Sequence, residues 1–411
     1  MNSPRDWPQP SPRFVPPSGR TQPAREVSEL RERARQVLPR VAEGAAERER
    51  ERLLPHAQVR AIAEAGLLTW RVPRAQGGPG GSVADVIRFV IDVAAVDSNI
   101  AQALRPAFGF AETLLLNVDA EEDARWYPRL LAGHFVGNAG WERGGPNGAV
   151  TATLHRHGDG YLANGTKYYS TGSLYADWIS TYALDEDGRE VAFVVPRDRE
   201  GLELVDDFDA MGQRLTASGT THYRNVPVRP EERRRQSLAR DRRTPMAPFY
   251  QLYLAAVEAG IARNALSDAT AFAQRHARPI RHSSAQRSVD DPYVQWTVGE
   301  IASQAYAAEA VVLRAADTVD EAWRAGLTHE ALTRASLEVA QAQVAAIASA
   351  LRAAELVFDV GSASPTAREH NLDRHWRNAR TVANHNPRHW KSAVVGAHAL
   401  TGAEPPTTGL I

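Results

Sequence analysis

The chain contains no cysteine among its 411 residues. That absence excludes a disulfide framework, a thiolate nucleophile and any cysteine-held metal or iron–sulfur cluster. Net charge is scarce as well: 48 basic residues offset 49 acidic ones, leaving a formal −1 at pH 7. With the two signs interspersed, no surface field is expected to gather nucleic acid or an anionic membrane. No apolar run approaches the roughly 20 residues that span a bilayer. Markers of several familiar chemistries are missing too. No GxGxxG follows a predicted strand, no HExxH orders the 13 histidines, and no GxSxG presents a nucleophilic serine. A nicotinamide domain, a metal site and a serine hydrolase are therefore not expected. The HRH run at 155–157 falls in a predicted hairpin and reads as exposed, not ligating.

What the chain does have is a definite order of textures. Residues 1–25 carry seven prolines, which withhold backbone donors and favour extended conformers, so a disordered tail is expected there. Trp7 or Phe14 is its candidate anchor on a neighbouring subunit. The tail lacks the apolar core of a signal peptide, and a cytoplasmic protein is expected. Residues 26–133 read as a helical domain. AQVRAIAEAGLL stops at Gly66, GGPGGS forms a turn, Ser82 caps the next helix, and the helix after that is expected to break at Pro106. Between 134 and 235, short alternating runs are broken by GDG, NG, EDG and REG. They predict six to eight strands of a central antiparallel β-barrel or sandwich. From 236 to 411 long alanine-rich stretches suit a C-terminal four-helix bundle, whose last helical run, NLDRHWRNARTVANH, ends before Pro387. The expected class is multidomain α+β: helices, then strands, then a bundle.

That order, with EAGLLTWRVPRAQGGPGG near its start, resembles the acyl-CoA dehydrogenase superfamily over about residues 30–405. Five blocks are similar to its reduced-FMN-dependent monooxygenase branch, which includes the dibenzothiophene monooxygenases. They are VGNAGWE (136–142), NGTKYYSTG (164–172), DDFDAMGQRLTASGTT (206–221), ARPI with DDPYVQWTVGEI (277–301), and LDRHWRNART with HNP (372–387). The resemblance implies flavin bound between the β domain and the bundle of a homotetramer. It also implies reduced FMN from a separate flavin reductase, O2 as co-substrate, and a flavin C4a-hydroperoxide that oxygenates a hydrophobic small molecule. Sulfur is the first expectation for the oxygenated atom, with nitrogen and aromatic carbon open. The alternatives are an FAD-dependent acyl-CoA dehydrogenase and a scaffold that has lost its cofactor. Against the dehydrogenase, no carboxylate lies between Asp373 and Glu404, and LVFDVGSASPT (356–366) stands where FAD-binding members have QxxGGxG.

Carried onto this sequence, the resemblance makes His385 the group that manages the proton, in either protonation state, with Asn384 beside it. Val382 replaces a second histidine that relatives carry. Asn138, Ser170 and Thr171 are expected at the flavin's polar edge, and Phe208 against its ring, where relatives have tryptophan. Arg278, with Ser362, Ser364 and Thr366 of a neighbouring subunit, is expected at the phosphate. Arg214, Thr216 and Ser218 would support the site, and Arg374, Arg377 and Arg380 would form ion pairs. Each residue also has a plainer reading, as a cap, a turn former or a packing group. Ala107, Phe108 and Phe110, in LRPAFGFAE, are the expected wall of an apolar substrate pocket.

Overall fold

The computed structural model describes residues 17–116, 120–143, 149–234 and 242–407. Trp7 and Phe14 lie outside the described residues. Seven helices come first: α1 (Val27–Ala42), α2 (Ala45–Glu51), α3 (His56–Glu64), α4 (Val83–Ala94), α5 (Ser98–Leu115), α6 (Ala120–Ala124) and α7 (Tyr127–Leu131). Eight strands follow: β1 (Val136–Ala139), β2 (Thr153–His157), β3 (Gly160–Lys167), β4 (Trp178–Leu184), β5 (Glu190–Pro196), β6 (Leu202–Leu204), β7 (Thr221–Val228) and β8 (Arg233–Arg234). The chain then enters α8 (Met246–Arg275), α9 (Pro292–Arg324), α10 (His329–Leu356), α11 (Arg374–Ala383) and α12 (Arg388–Thr401).

Local chemistry sets the boundaries. Ser82 and Asp85 form a reciprocal capping box at α4, and the Asp320 carboxylate of α9 accepts from the Val83 and Ala84 amides, tying that end to the bundle. Asp97 caps α5 by accepting from Asn99 and Ile100. Contrary to expectation, α5 runs through Pro106 without a break. Its lost hydrogen bond costs about 3 kcal/mol, and nearly every residue of α5 is buried, so packing overrides the local penalty. A second departure lies beyond Pro387, where α12 begins. Proline is compatible with a helix start, since the amide it lacks would be unpaired there anyway. The tail expectation also shortens: Ser18 donates to Glu64, the Gln22 carbonyl accepts from Arg33, and Ala24 is fully buried.

The sheet runs β6-β7-β3-β2-β4-β5-β8, with β1 added parallel to β4. Most other pairs are antiparallel, β2 and β4 meet in parallel at Thr153 and Leu184, and the sheet stays open. β2 and β3 form a hairpin around Gly158, whose φ of +55° favours glycine. His155 and His157 on it are exposed.

Alanines let the long helices approach closely. On α8, Ala255, Ala256, Ala259, Ala262, Ala265 and Ala269 are buried. Gly260 faces α4 so tightly that a Cβ there would lie 2.3 Å from that of Ala94. Helix α5 sits between this bundle and the sheet, so its exposed edge borders both.

Candidate active site

The loop after β3 is pressed onto α5. Gly172 has φ +76°, and a Cβ on it would sit 2.6 Å from the Ala103 carbonyl and 3.1 Å from the Phe135 ring. Only glycine allows that approach. The neighbouring Thr171 carbonyl accepts from the Asn138 amide of β1 at 3.3 Å. Thr171 Oγ1 lies 2.9 Å from Ser218 Oγ, Ser218 lies 2.7 Å from Thr216 Oγ1, and Thr216 donates to the Gln213 carbonyl at 2.9 Å. A hydroxyl has one proton to give. Thr216 spends its proton on the carbonyl, so Ser218 donates to Thr216 and Thr171 to Ser218. Thr171 Oγ1 is left as an acceptor. Ser170 is fully buried behind the loop, accepting from Thr221 at 2.8 Å. Asn138 is half-buried, and its Oδ1 is sealed from solvent without a partner. An acceptor sealed from solvent in this way is open to a hydrogen bond from a bound group.

Tyr169 adopts φ +57° and is 52% exposed, and its ring meets Phe208 edge-on at 6.4 Å. This aromatic pair offers an apolar face beside Thr171. Phe208 was expected there; Tyr169 was not singled out. Its sequence signal, the second tyrosine of KYYSTG, is indistinguishable from strand packing.

On α5, two residues beyond Ala103, Arg105 donates from Nη2 to His385 Nε2 at 3.0 Å. Arginine has no acceptor, so Nε2 must be unprotonated. The neutral ring then carries its proton on Nδ1. Asn386 Nδ2 and Lys391 Nζ both donate to Gln251 Oε1 at 3.0 Å. His385 is reached by solvent, yet protein surrounds it closely enough that burial, and then the Arg105 charge, push its pKa down to about 3. As a neutral imidazole it forms, with Arg105, the floor of the candidate site. The protonated form expected as one of its two states is thereby disfavoured near neutrality. Burial also lowers Lys391 to about 8. Tyr250 of α8 completes this floor, its ring 5.7 Å from the Arg105 guanidinium and lying over Gly109.

The other expected residues fall as follows. Asn384 is an exposed cap of α11, and Val382 is buried. Arg278 and Ser362, Ser364 and Thr366 are exposed. They gather at one end of the bundle, where Gly361 abuts Phe272 near the end of α8. Arg374 pairs with Asp268, and Arg377 with Glu49 and Asp373. Beside the latter lies a cavity of about 590 Å³ whose lining includes Arg50, Met211, Arg214, Thr366 and Arg368, but not Asn138, Thr171 or His385. Phe108 stacks between Phe89 and Tyr253, and Phe110 packs against Trp126. Both are buried in packed clusters with Ala107 nearby, so the expected pocket wall is core. The α5 face turned to His385 and Tyr250 carries Arg105 and Gly109 instead.

Two family patterns match the chain: "Acyl-CoA dehydrogenase, N-terminal domain" over residues 24–134 and "Acyl-CoA dehydrogenase, C-terminal domain" over 252–389. Dibenzothiophene monooxygenase of Mycolicibacterium goodii is 33% identical over 361 residues, covering 84% of this chain and 87% of its own. A probable FMNH2-dependent monooxygenase, SfnC, of Pseudomonas putida is 31% identical, covering 90% of this chain and 95% of its own. The crystal structure of FMN-bound TdsC from Paenibacillus sp. A11-2 superposes with a TM-score of 0.86 at 29% identity, covering 93% of this chain and all of that one. With the helix–sheet–bundle order and the cleft beside His385, these matches establish that the chain belongs to the acyl-CoA dehydrogenase family, in its branch of flavin-dependent monooxygenases.

Proposed function

We propose that this protein uses reduced FMN and O2 to oxygenate a small, largely apolar molecule at sulfur, with a separate flavin reductase supplying the FMN. The observation that carries this reading is the composition of the cleft floor. His385 and Arg105 are bonded to each other and Arg105 is stacked on Tyr250, with no carboxylate paired to either among the described residues. A dehydrogenase needs a carboxylate to take a proton α to a thioester; a neutral imidazole beside a cation suits oxygen transfer better.

The residues present fit a flavin. Thr171 Oγ1 offers an acceptor, which suits the N5–H that only the reduced ring carries. The orphaned Asn138 side chain stands one hydrogen bond away from the same loop, and Tyr169 with Phe208 offers a flat apolar partner. Arg278 and the hydroxyls of Ser362, Ser364 and Thr366 would hold the phosphate, the latter from a neighbouring subunit. Bound there, reduced flavin supplies the electrons that activate O2. The Nδ1–H of neutral His385 would donate a hydrogen bond to the reacting oxygen. The relatives named for dibenzothiophene support sulfur as the target, and the FMNH2-dependent relative supports the reductase. Incubation with FMN, NADH, a flavin reductase and a panel of sulfides under labelled dioxygen tests the reading. One labelled atom in the product is expected. Dye reduction by an acyl-CoA without oxygenation would favour the dehydrogenase instead. Gly109→Ala bears on the cleft itself. A Cβ there would meet the Tyr250 ring at 2.4 Å, so turnover should fall about 10²-fold through misplacement, with FMN affinity unchanged in a fluorescence titration.

A homotetramer fits the surface of α9, where Tyr293, Trp296 and Tyr306 are 79%, 57% and 78% exposed. Three large aromatics on one side of a helix are costly in water and read as an interface. The double variant Trp296→Glu/Tyr306→Glu is expected to sediment as a smaller species with unchanged circular dichroism. An unchanged mass would remove α9 from the interface. No described helix is long and apolar enough to cross a membrane; the cytoplasm, where reduced flavin is made, is the compartment this function implies.

A further inference from the structure

We infer that Arg105 selects the substrate, and that the site takes a small organosulfur compound bearing an anionic group, which docks on the guanidinium. The reaction rests on the oxygenase reading above; the charge of the substrate rests on Arg105.

The neighbouring helices show how this fold treats an arginine that has structural work only. Arg48 pairs with Asp97, Arg60 with Asp177 and Arg71 with Glu112, each beside a carboxylate that is almost fully buried. Arg105 is set deep in the same domain and pairs with no carboxylate among the described residues. Its contacts are a neutral imidazole and an aromatic ring. Among the described residues its Nε is buried without a partner and Nη1 has no hydrogen-bond partner. Neither contact cancels a unit charge, and burial alone already lowers the guanidinium's pKa. A cation left uncompensated in a cleft costs stability unless something anionic shares the site. A planar fork of N–H donors matches the two oxygens of a carboxylate or a sulfinate. Tyr250, half-buried and stacked on Arg105, carries a hydroxyl donor with no hydrogen-bond partner among the described residues.

For a sulfide the step balances as R–S–R′ + O2 + FMNH2 giving R–S(O)–R′ + H2O + FMN. Sulfur gives two electrons and reduced flavin two; one oxygen atom goes to sulfur and the other leaves as water. The anionic group is untouched and serves only to orient the sulfur.

Calorimetric titration of the FMN-loaded protein with (phenylthio)acetate and with its methyl ester isolates the charge. Wild type is expected to bind the acid at least about 30-fold more tightly than the ester, on the scale of a charged hydrogen bond. Arg105→Met should erase that preference while leaving ester binding within about threefold, and Arg105→Lys should keep part of it. In turnover, Arg105→Met should raise KM for the acid far more than it lowers kcat. Equal binding of acid and ester by wild type, binding of neither, or an Arg105→Met protein that still prefers the acid would each overturn the inference. Circular dichroism checks that the variants fold. Should the protein take up no FMN, the oxygenase reading fails by itself, and the same titration on the flavin-free chain still decides the role of Arg105.

Discussion

His385→Ala is expected to keep FMN bound while oxygenated product falls by about 10²- to 10⁴-fold, the usual worth of a positioned proton-handling group. Consumption of NADH through the reductase should continue, with hydrogen peroxide released in place of product. The reason is the polarised chain on the cleft floor. Arg105 donates to Nε2, which fixes the neutral ring's tautomer with its proton on Nδ1. Alanine removes that group and leaves Arg105 without its one hydrogen-bonded partner among the described residues. His385→Gln, neutral and able to donate and accept, should recover part of the coupling. The pH dependence follows from the same contacts. The pKa is pushed down to about 3 from an ordinary value of 6.5, so the folded protein resists protonating this ring. Stability due to neutral His385 is fully present above pH 6.5 and is lost as pH falls toward 3. Nitrogen NMR on labelled histidine should show His385 neutral from pH 5 to 8. Arg105→Met, by removing the neighbouring charge, should raise its pKa. Titration of His385 near 6.5 in the wild type, or full coupling in His385→Ala, would refute its assigned role.

The order of domains was legible because helix and strand leave different periods in the sequence. GGPGGS followed by an apolar run located α4 and GDG located the β2–β3 hairpin, whereas NG, read as a break between strands, lies inside β3 at a shift of register. The cleft was legible only where a side chain's direction follows from its neighbours. Thr171 and Ser170 are adjacent in sequence, yet the positive φ of Tyr169 and of Gly172 turns one toward Ser218 and the other into β7. LRPAFGFAE reads as an apolar wall because it is mostly apolar, but what faces the cleft is decided by helix phase. Arg105 and Gly109, four apart, share that face, whereas Phe108 and Phe110 point into two separate packed clusters. Expecting a break at Pro106 hid this phase, since a broken helix has no continuous face. The beginning of α12 was hidden for a related reason: of its fourteen residues only Lys391 is buried, so no apolar stripe announces it.

Asp177→Ala is expected to cost about 3–5 kcal/mol of stability, the range for removing one partner of a buried ion pair. Asp177 is buried just before β4. Its Oδ1 accepts from Arg60 Nη2 at 2.8 Å, and its Oδ2 from the Phe135 amide at 2.6 Å and Arg60 Nη1 at 3.3 Å. Arg60 belongs to α3 and also donates to the Gly133 carbonyl. One carboxylate therefore joins the helical domain to the point where the chain enters β1. Alanine would strand a buried guanidinium and a buried amide together, which is why the cost exceeds that of an ordinary surface pair. The loss should appear as a lowered urea midpoint with an unchanged slope. It should also reach the active site, because Phe135 sets β1 in register with β4, Val136 opposite Trp178 and Asn138 opposite Ser180. FMN affinity is accordingly expected to fall along with stability. The double variant Arg60→Met/Asp177→Leu separates the two effects. It removes both charges, so it should be more stable than Asp177→Ala, while β1 still lacks the acceptor for Phe135 and flavin binding stays weak. A double variant no more stable than the single one would show that the ion pair is not the source of the loss. One that binds FMN as wild type does would show that Asp177 has no hold on Asn138.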